Sequence, residues 1–370
     1  MKTDMKKHLI LLAASTVTLL SLLTACMSSL PETDPVDIKF TYGAYFLNAG
    51  NDGKRDAELT QLNTLYSIVN QNVFRAVNNK EMGDGGRDII VLGNHMYVTL
   101  NGSRRISVID PSSCKETGSI VLEADGTTLS PRSLASFEGA LIVGLDEGYV
   151  ARVDTATLKI TALQEVSGQP GAIAIANQKL YVANYRVNGA PGATVQMLNP
   201  VDLHVMKTVD VQPGPRYLVA DPVNNSLMLI SEGNGASVFQ VIDTDTENVI
   251  TIDSVVKPAL MAAGPDQAMV LYVQDTDDEL GGRFLVFNTQ PDSRKVEGGF
   301  IRDGSYVRNP SALFIDQTTG NVYIAEQMKG SEYAIIYVYT SYGQYITSFN
   351  TGAANPCAAV FLAGNTVSGK

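Results

Sequence analysis

Tryptophan is absent from this sequence, and histidine and cysteine are scarce, at three residues each. The histidines are His8, His95 and His204, with no H-x-H or H-E-x-x-H spacing, and no C-x-x-C occurs. A zinc centre, which gathers three or four such ligands, therefore has no support in the sequence. G-x-S-x-G is also missing, as is any glycine-rich phosphate loop leading into a helix, which removes the common hydrolase and nucleotide-binding signatures. The lack of Trp weakens a sugar-stacking reading, although sixteen Tyr remain to stack. Beyond Leu23 no apolar run reaches about 18 residues, so no later segment reads as a membrane-spanning helix. Long stretches with a 3.6-residue period are missing too; only residues 58–77 leave room for a helical turn.

What remains is short apolar runs separated by turn-formers. Residues 87–122 hold four of them: Ile89–Leu92, Met96–Leu100, Ile106–Ile109 and Ser119–Leu122. Gly93-Asn94, Asn101-Gly102-Ser103 and Asp110-Pro111-Ser112-Ser113 break them apart, and such residues favour tight hairpins and self-capped turns. The spacing predicts a four-stranded antiparallel meander, a sheet with two faces that it cannot bury alone. Like units start at residues 132, 170, 216, 258 and 310, and the same kind of start returns at Pro356, giving spacings of 45, 38, 46, 42, 52 and 46. A repeat of 40–50 residues with four strands each marks a propeller blade.

The two ends complete the ring. Ahead of Arg87 only three strand-like runs occur, at Tyr42–Asn48, Leu59–Asn63 and Val73–Val77, and after Phe349 one more, at Ala358–Leu362. Three strands and one strand make a blade. The expected fold is therefore all-β: a seven-bladed propeller of four-stranded antiparallel blades, closed by the C-terminal strand joining the N-terminal blade, which leaves no free edge.

Residues 1–25 read as a leader outside the fold. Lys2, Lys6 and Lys7 precede the apolar run Leu9–Leu23, and Leu23-Thr24-Ala25-Cys26 resembles a bacterial lipobox. That resemblance implies cleavage before Cys26 and lipid attachment to its sulfur. Residues 26–37 then form an acidic tether with Glu32, Asp34 and Asp37, and residues 38–370 a single propeller domain. The formal charge is −11; without residues 1–25 the chain has 24 basic and 37 acidic residues, or −13. Such a surface repels nucleic acid, which is not expected as a partner, and the membrane is reached through the anchor alone. Cys114, in an outer hairpin, and Cys357, at the start of an inner strand, are expected to be buried or half-buried, unpaired and non-nucleophilic.

Candidate binding residues follow from topology. In a propeller the innermost strand of each blade starts on the face where the second strand ends. Residues at those points surround the mouth of the central funnel. Here they include Arg87, Asp88, Asn101, Arg132, Gln169, Tyr185, Arg186, Arg216, Lys257, Asp275, Arg308, Asn309 and Gln327. Five strand starts carry a cation in an acidic chain, and arginines with amides at a concave mouth suit a large polar ligand. The competing reading is that these cations only pair with acids of the adjacent blade. Asn184–Ala193, Gln274–Gly282 and Asn48–Glu58 read as long loops on the same face. Asp275, Asp277, Asp278 and Glu279 offer oxygens to calcium but lack the glycine-pivoted spacing of a calcium loop, so a solvated loop is the expectation and no metal is assigned. The Asp110, Asp154 and Asp243 turns read as side-chain caps. No catalytic residue emerges.

Units such as KLYVANY…VQMLNP, MYVTLNGSRRISVIDP and NVYIAEQ…IIYVYT resemble the YVTN, or YncE-like, seven-bladed propellers over roughly residues 42–362. With the lipobox and acidic tether, the chain looks like the propeller lipoproteins of Bacteroidetes. Among these, the BtuG-type group binds cobalamin at the cell surface and hands it to an outer-membrane transporter. The resemblance implies a lipid-anchored, surface-exposed outer-membrane protein that captures a corrinoid; it is expected to be a binding protein rather than an enzyme, with no cofactor required and cobalamin as the ligand. The missing Trp removes the docking motif of quinone-dependent propeller dehydrogenases. Two alternatives stay open: an adhesion or scaffold propeller that binds protein or glycan, and a metal-dependent propeller hydrolase or lyase.

Overall fold

The computed structural model describes residues 36–368 except 222, 267 and 276–280. The leader, Cys26 and most of the tether lie outside the described residues, as does most of the acidic loop. The ring lies within the compact unit Phe40–Gly364. It consists of seven four-stranded sheets, with one extra two-stranded hairpin of Glu123–Ala124 and Thr127–Thr128.

Blade 1 contains Val36–Asn48, Glu58–Asn63 and Ile68–Asn70, with the C-terminal Pro356–Ser368 paired beside the first of these. The remaining blades are continuous in sequence. Blade 2 runs from Gly86–Leu92 to Lys115–Ile120, blade 3 from Pro131–Phe137 to Lys159–Glu165, and blade 4 from Gln169–Ala176 to Val205–Asp210. Blade 5 runs from Pro215–Asp221 to Val249–Val256, blade 6 from Pro258–Ala263 to Lys295–Gly299, and blade 7 from Pro310–Ile315 to Tyr345–Asn350. Closure by the C-terminal strand is as the sequence predicts. The N–H groups of Ala49 and Gly50 donate to the carbonyls of Asn355 (2.8 Å) and Ala354 (3.1 Å), which fastens the seam.

Burial explains the sequence pattern. Second strands such as Ala140–Leu145 are buried at every residue, because blades stack on both their faces, so they read as unbroken apolar runs. Outer strands such as Lys159–Glu165 alternate exposed and half-buried residues. Among the described residues seven apolar clusters occur, one for each junction between neighbouring blades. At the closing junction Phe46, fully buried, meets the rings of Phe314, Tyr323, Phe349 and Phe361 at 5.5–6.1 Å. The turn caps are present as expected. Asp110 accepts from Ser112, Asp154 from Ala156 and Thr157, and Asp243 from Asp245 and Thr246.

Two local expectations are corrected. Val73–Val77 is not a strand: the outer strand of blade 1 is Ile68–Asn70, and residues 73–78 form a short helix. The Glu58 carboxylate accepts from the N–H groups of Phe74 (2.9 Å) and Arg75 (3.1 Å), supplying the cap that the helix start lacks locally, while Phe74 is buried beneath it. Asn184–Ala193 is not a loop either. The second and third strands of blade 4 continue through it to a two-residue turn at Asn188-Gly189, both at positive φ. Cys114 and Cys357 are free, and burial pushes both thiols up to about 12, well above a nucleophilic range.

Candidate functional site

The predicted mouth residues fall into separate groups rather than one ring. On blade 3, Arg132 Nε pairs with Asp146, whose other oxygen accepts from Asn101 Nδ2 at 3.0 Å. Burial alone would raise the Asp146 carboxyl, but the hydrogen bond and charge of Arg132, with Gln169 and Asn101 behind it, hold it below the usual range. This group is already satisfied. It also shows that Arg132 pairs within its own blade, not with the adjacent one.

Asp88 bridges blades instead of facing a ligand. Its two oxygens accept from Ile89 N–H (2.8 Å) and Leu134 N–H (2.7 Å), tying blade 2 to blade 3. Although some of its surface is exposed, burial pushes its carboxyl up to about 6. Gln327 is committed likewise: its Nε2 donates to the carbonyl of Ser331 (3.0 Å), and its Oε1 accepts from Asn355 N–H (2.7 Å). Arg308 lies over the Tyr306 ring at 5.1 Å, and Asp275 N–H donates to Gly281. Arg87 and Asn309 are exposed.

Tyr185, Arg186, Arg216 and Lys257, in contrast, line one cleft of about 1200 Å³. Two hairpin arms make its walls. In blade 4, Tyr185, Arg186 and Val187 continue past Asn184, which pairs with Pro170; in blade 5, Glu232 and Gly233 continue past Ser231, which pairs with Pro215. Asn188-Gly189 and Asn234-Gly235 tip the arms, each with both residues at positive φ. The back is the outer strand of blade 5, which bulges: between the pairs Val238–Val256 and Gln240–Thr251, one residue faces four. Lys257, alone between blades 5 and 6, closes the far side.

A family model matches residues 42–222. Its description is "Domain of unknown function (DUF5074)", and the match runs from blade 1 into the first strand of blade 5. No curated protein matches. Among solved structures the chain is similar to a quinonprotein alcohol dehydrogenase-like protein from Bacteroides thetaiotaomicron, at 17% identity and TM-score 0.63, covering 87% of this chain and 79% of that one. A protein from Lactobacillus plantarum aligns at 14% identity and TM-score 0.62, covering 87% and 100%. Hydrazine synthase from Kuenenia stuttgartiensis aligns at 15% and 0.59, covering 76% and 95%. At these identities the likeness is one of fold.

Within the cleft the cations are ordered by aromatic rings. Arg186 lies 5.1 Å from the Tyr185 centroid, and Arg216 lies 5.8 Å from Tyr185 and 5.0 Å from Tyr217. Arg216 Nη1 also donates to Glu232 Oε2 at 2.6 Å. Desolvation pulls the Arg216 pKa down, but Tyr217 and Glu232 outweigh it and the guanidinium stays charged. Tyr217, Asp253 and the bulge were not picked out from sequence. The Asn-Gly pairs at 188–189 and 234–235 were the available signal for the arms. Among the described residues no cluster of three or more metal-ligating side chains occurs.

Proposed function

We propose that this chain is a non-catalytic binding protein that captures a large polar ligand in the cleft between the arms of blades 4 and 5. The observation that carries the reading is the cleft itself. Its volume of about 1200 Å³ exceeds the roughly 300–1,000 Å³ of ordinary small-ligand pockets. Its walls also mix Arg–Tyr stacks, glycine edges and an apolar back formed by Ile252, Val255 and Val256. A corrinoid such as cobalamin, a broad ring with polar amide arms, is the first candidate, in keeping with the resemblance to surface propeller lipoproteins. On this reading Cys26 carries the lipid, the protein sits on the outer membrane facing outward, and the ligand passes to an outer-membrane transporter.

Purified protein mixed with cyanocobalamin should leave a sizing column pink, with corrinoid in near-equal amount. Tyr185→Ala should weaken retention, and Arg87→Ala, outside the cleft, should not. A colourless protein peak at micromolar concentration overturns corrinoid capture, and hits on a glycan array would then favour adhesion. Metabolic labelling with a radioactive fatty acid, lost in Cys26→Ser, tests the anchor.

A further inference from the structure

The charged side chains lining this cleft are Arg186, Arg216 and Lys257 against Glu232 and Asp253, a local positive excess in a chain of net charge −11. Arg216 is engaged by Glu232. Arg186 and Lys257 have no ion pair or side-chain hydrogen bond among the described residues, and they come from different walls. Arg186 is pre-placed on the Tyr185 ring, so little side-chain freedom remains to be lost when it meets an anion.

Lys257 has a second peculiarity. It precedes Pro258 and sits at φ 51, in the left-handed region. The residue at the matching start of the closing strand is Asn355, at φ 60 before Pro356. Asn tolerates that region, and Asn355 uses its side chain inside the fold, with Nδ2 donating to Gly50 O at 2.9 Å. Lysine has no such tolerance; its carbonyl accepts from the Gln274 N–H at 3.0 Å, as the Asn355 carbonyl accepts from Ala49, but among the described residues its side chain makes no bond within the fold.

We propose that the group recognised across the cleft is an oxyanion, a phosphate or carboxylate, held between the Arg186 guanidinium on the blade-4 arm and the Lys257 ammonium at the start of blade 6. This rests on the cleft being the binding site but not on the ligand being a corrinoid. Arg186 supplies a planar fork of donors and Lys257 a point charge, a pairing suited to a group with several equivalent oxygens.

The test uses the whole soluble chain, with inorganic phosphate and succinate as probes in separate calorimetric titrations at low salt. Arg186→Gln and Lys257→Asn are both at exposed positions, and Asn suits the backbone at 257. Each should weaken phosphate about tenfold, and the double variant should abolish it. Lys295→Gln, on an outer strand, should change nothing. Succinate binding more tightly than phosphate would name the carboxylate as source; the reverse would name phosphate. Equal affinity in wild type and double variant, or no binding of either anion by wild type, overturns the proposal. Cyanocobalamin and dicyanocobinamide, which lacks the phosphate, make the second arm. A preference for cyanocobalamin that the double variant loses supports both readings. If neither corrinoid binds while phosphate does, the corrinoid reading falls and the oxyanion site stands.

Discussion

Gly214 joins the two arms, and replacing it tests how they are held. Its N–H donates to Gly192 O at 2.6 Å on the blade-4 arm, and its carbonyl accepts from Glu232 N–H at 2.7 Å on the blade-5 arm. Its φ is 79, and a Cβ there would stand 2.1 Å from Glu232 O and 2.5 Å from Glu232 C, both backbone atoms that cannot swing aside. In Gly214→Ala the left-handed backbone costs about 1–2 kcal/mol. Displacing Glu232 endangers both hydrogen bonds, each worth about 0.5–1.5 kcal/mol net. The expected loss is about 2–5 kcal/mol, read from chemical denaturation followed by circular dichroism. Gly235→Ala is the control: it shares a positive φ of 77, but its Cβ meets nothing within 4 Å, so it should lose only the backbone part. Hydrogen exchange at the Glu232 amide should quicken in Gly214→Ala and not in Gly235→Ala. Equal destabilisation of the two variants, within about 0.5 kcal/mol, would refute the interlock.

Three further outcomes follow from the fold. Phe46→Ala, at the aromatic centre of the closing junction, should cost about 3–5 kcal/mol in denaturant unfolding. Glu58→Ala, which strips the cap from the helix at residues 73–78, should cost about 1–2 kcal/mol and loosen the amides of Phe74 and Arg75 in hydrogen exchange. Asp88 bears on pH. Its folded carboxyl titrates at about 6 against 3.8 ordinarily, so the folded chain holds that proton more tightly than the unfolded one. Its stabilising effect is complete below the lower value, fades as pH rises to about 6, and is then flat. Asp88→Asn should therefore flatten the stability profile between pH 4 and 6, and an unchanged slope would contradict the assignment.

Much of the ring was legible because its restraints are local. Six of the seven blades carry a proline at or next to the start of their first strand, where a missing N–H removes no needed ladder bond, and aspartate turns mark the outer hairpins. Unbroken apolar second strands report burial on two faces. Where the sequence misleads, a distant group decides. Val73–Val77 is an apolar run of strand length, yet it is helical, with its first turn capped by the Glu58 carboxylate fifteen or more residues away. Asn184–Ala193 reads as a loop because glycine and proline crowd it, yet Asn188-Gly189 is the turn that lets the ladder continue. The site divides in the same way. Topology placed Arg132, Asp88 and Gln327 at the mouth, but it could not show that Asp146, the Leu134 amide and the carbonyl of Ser331 already engage them.

One device appears twice with different ends. In blade 3 and in blade 5, an arginine at the start of the first strand pairs with a carboxylate at the exit of the second: Arg132 with Asp146, and Arg216 with Glu232. Around Asp146, Asn101 adds a donor, and the two side chains are only 25% and 21% exposed. Around Glu232 no second side-chain donor is recorded among the described residues, and Arg216 is 45% exposed on the cleft. The first pair should therefore act in stability and the second in recognition. Asp146→Ala strands the Arg132 charge and the Asn101 donor, and should cost about 1.5–3 kcal/mol in unfolding. Glu232→Ala breaks a solvated pair worth at most about 1 kcal/mol, so its stability should hardly move. It also frees a third cation in the cleft, so phosphate should bind more tightly. If Glu232→Ala proves the more destabilising of the two, or leaves phosphate affinity untouched, the two pairs do the same work and the cleft has no privileged chemistry.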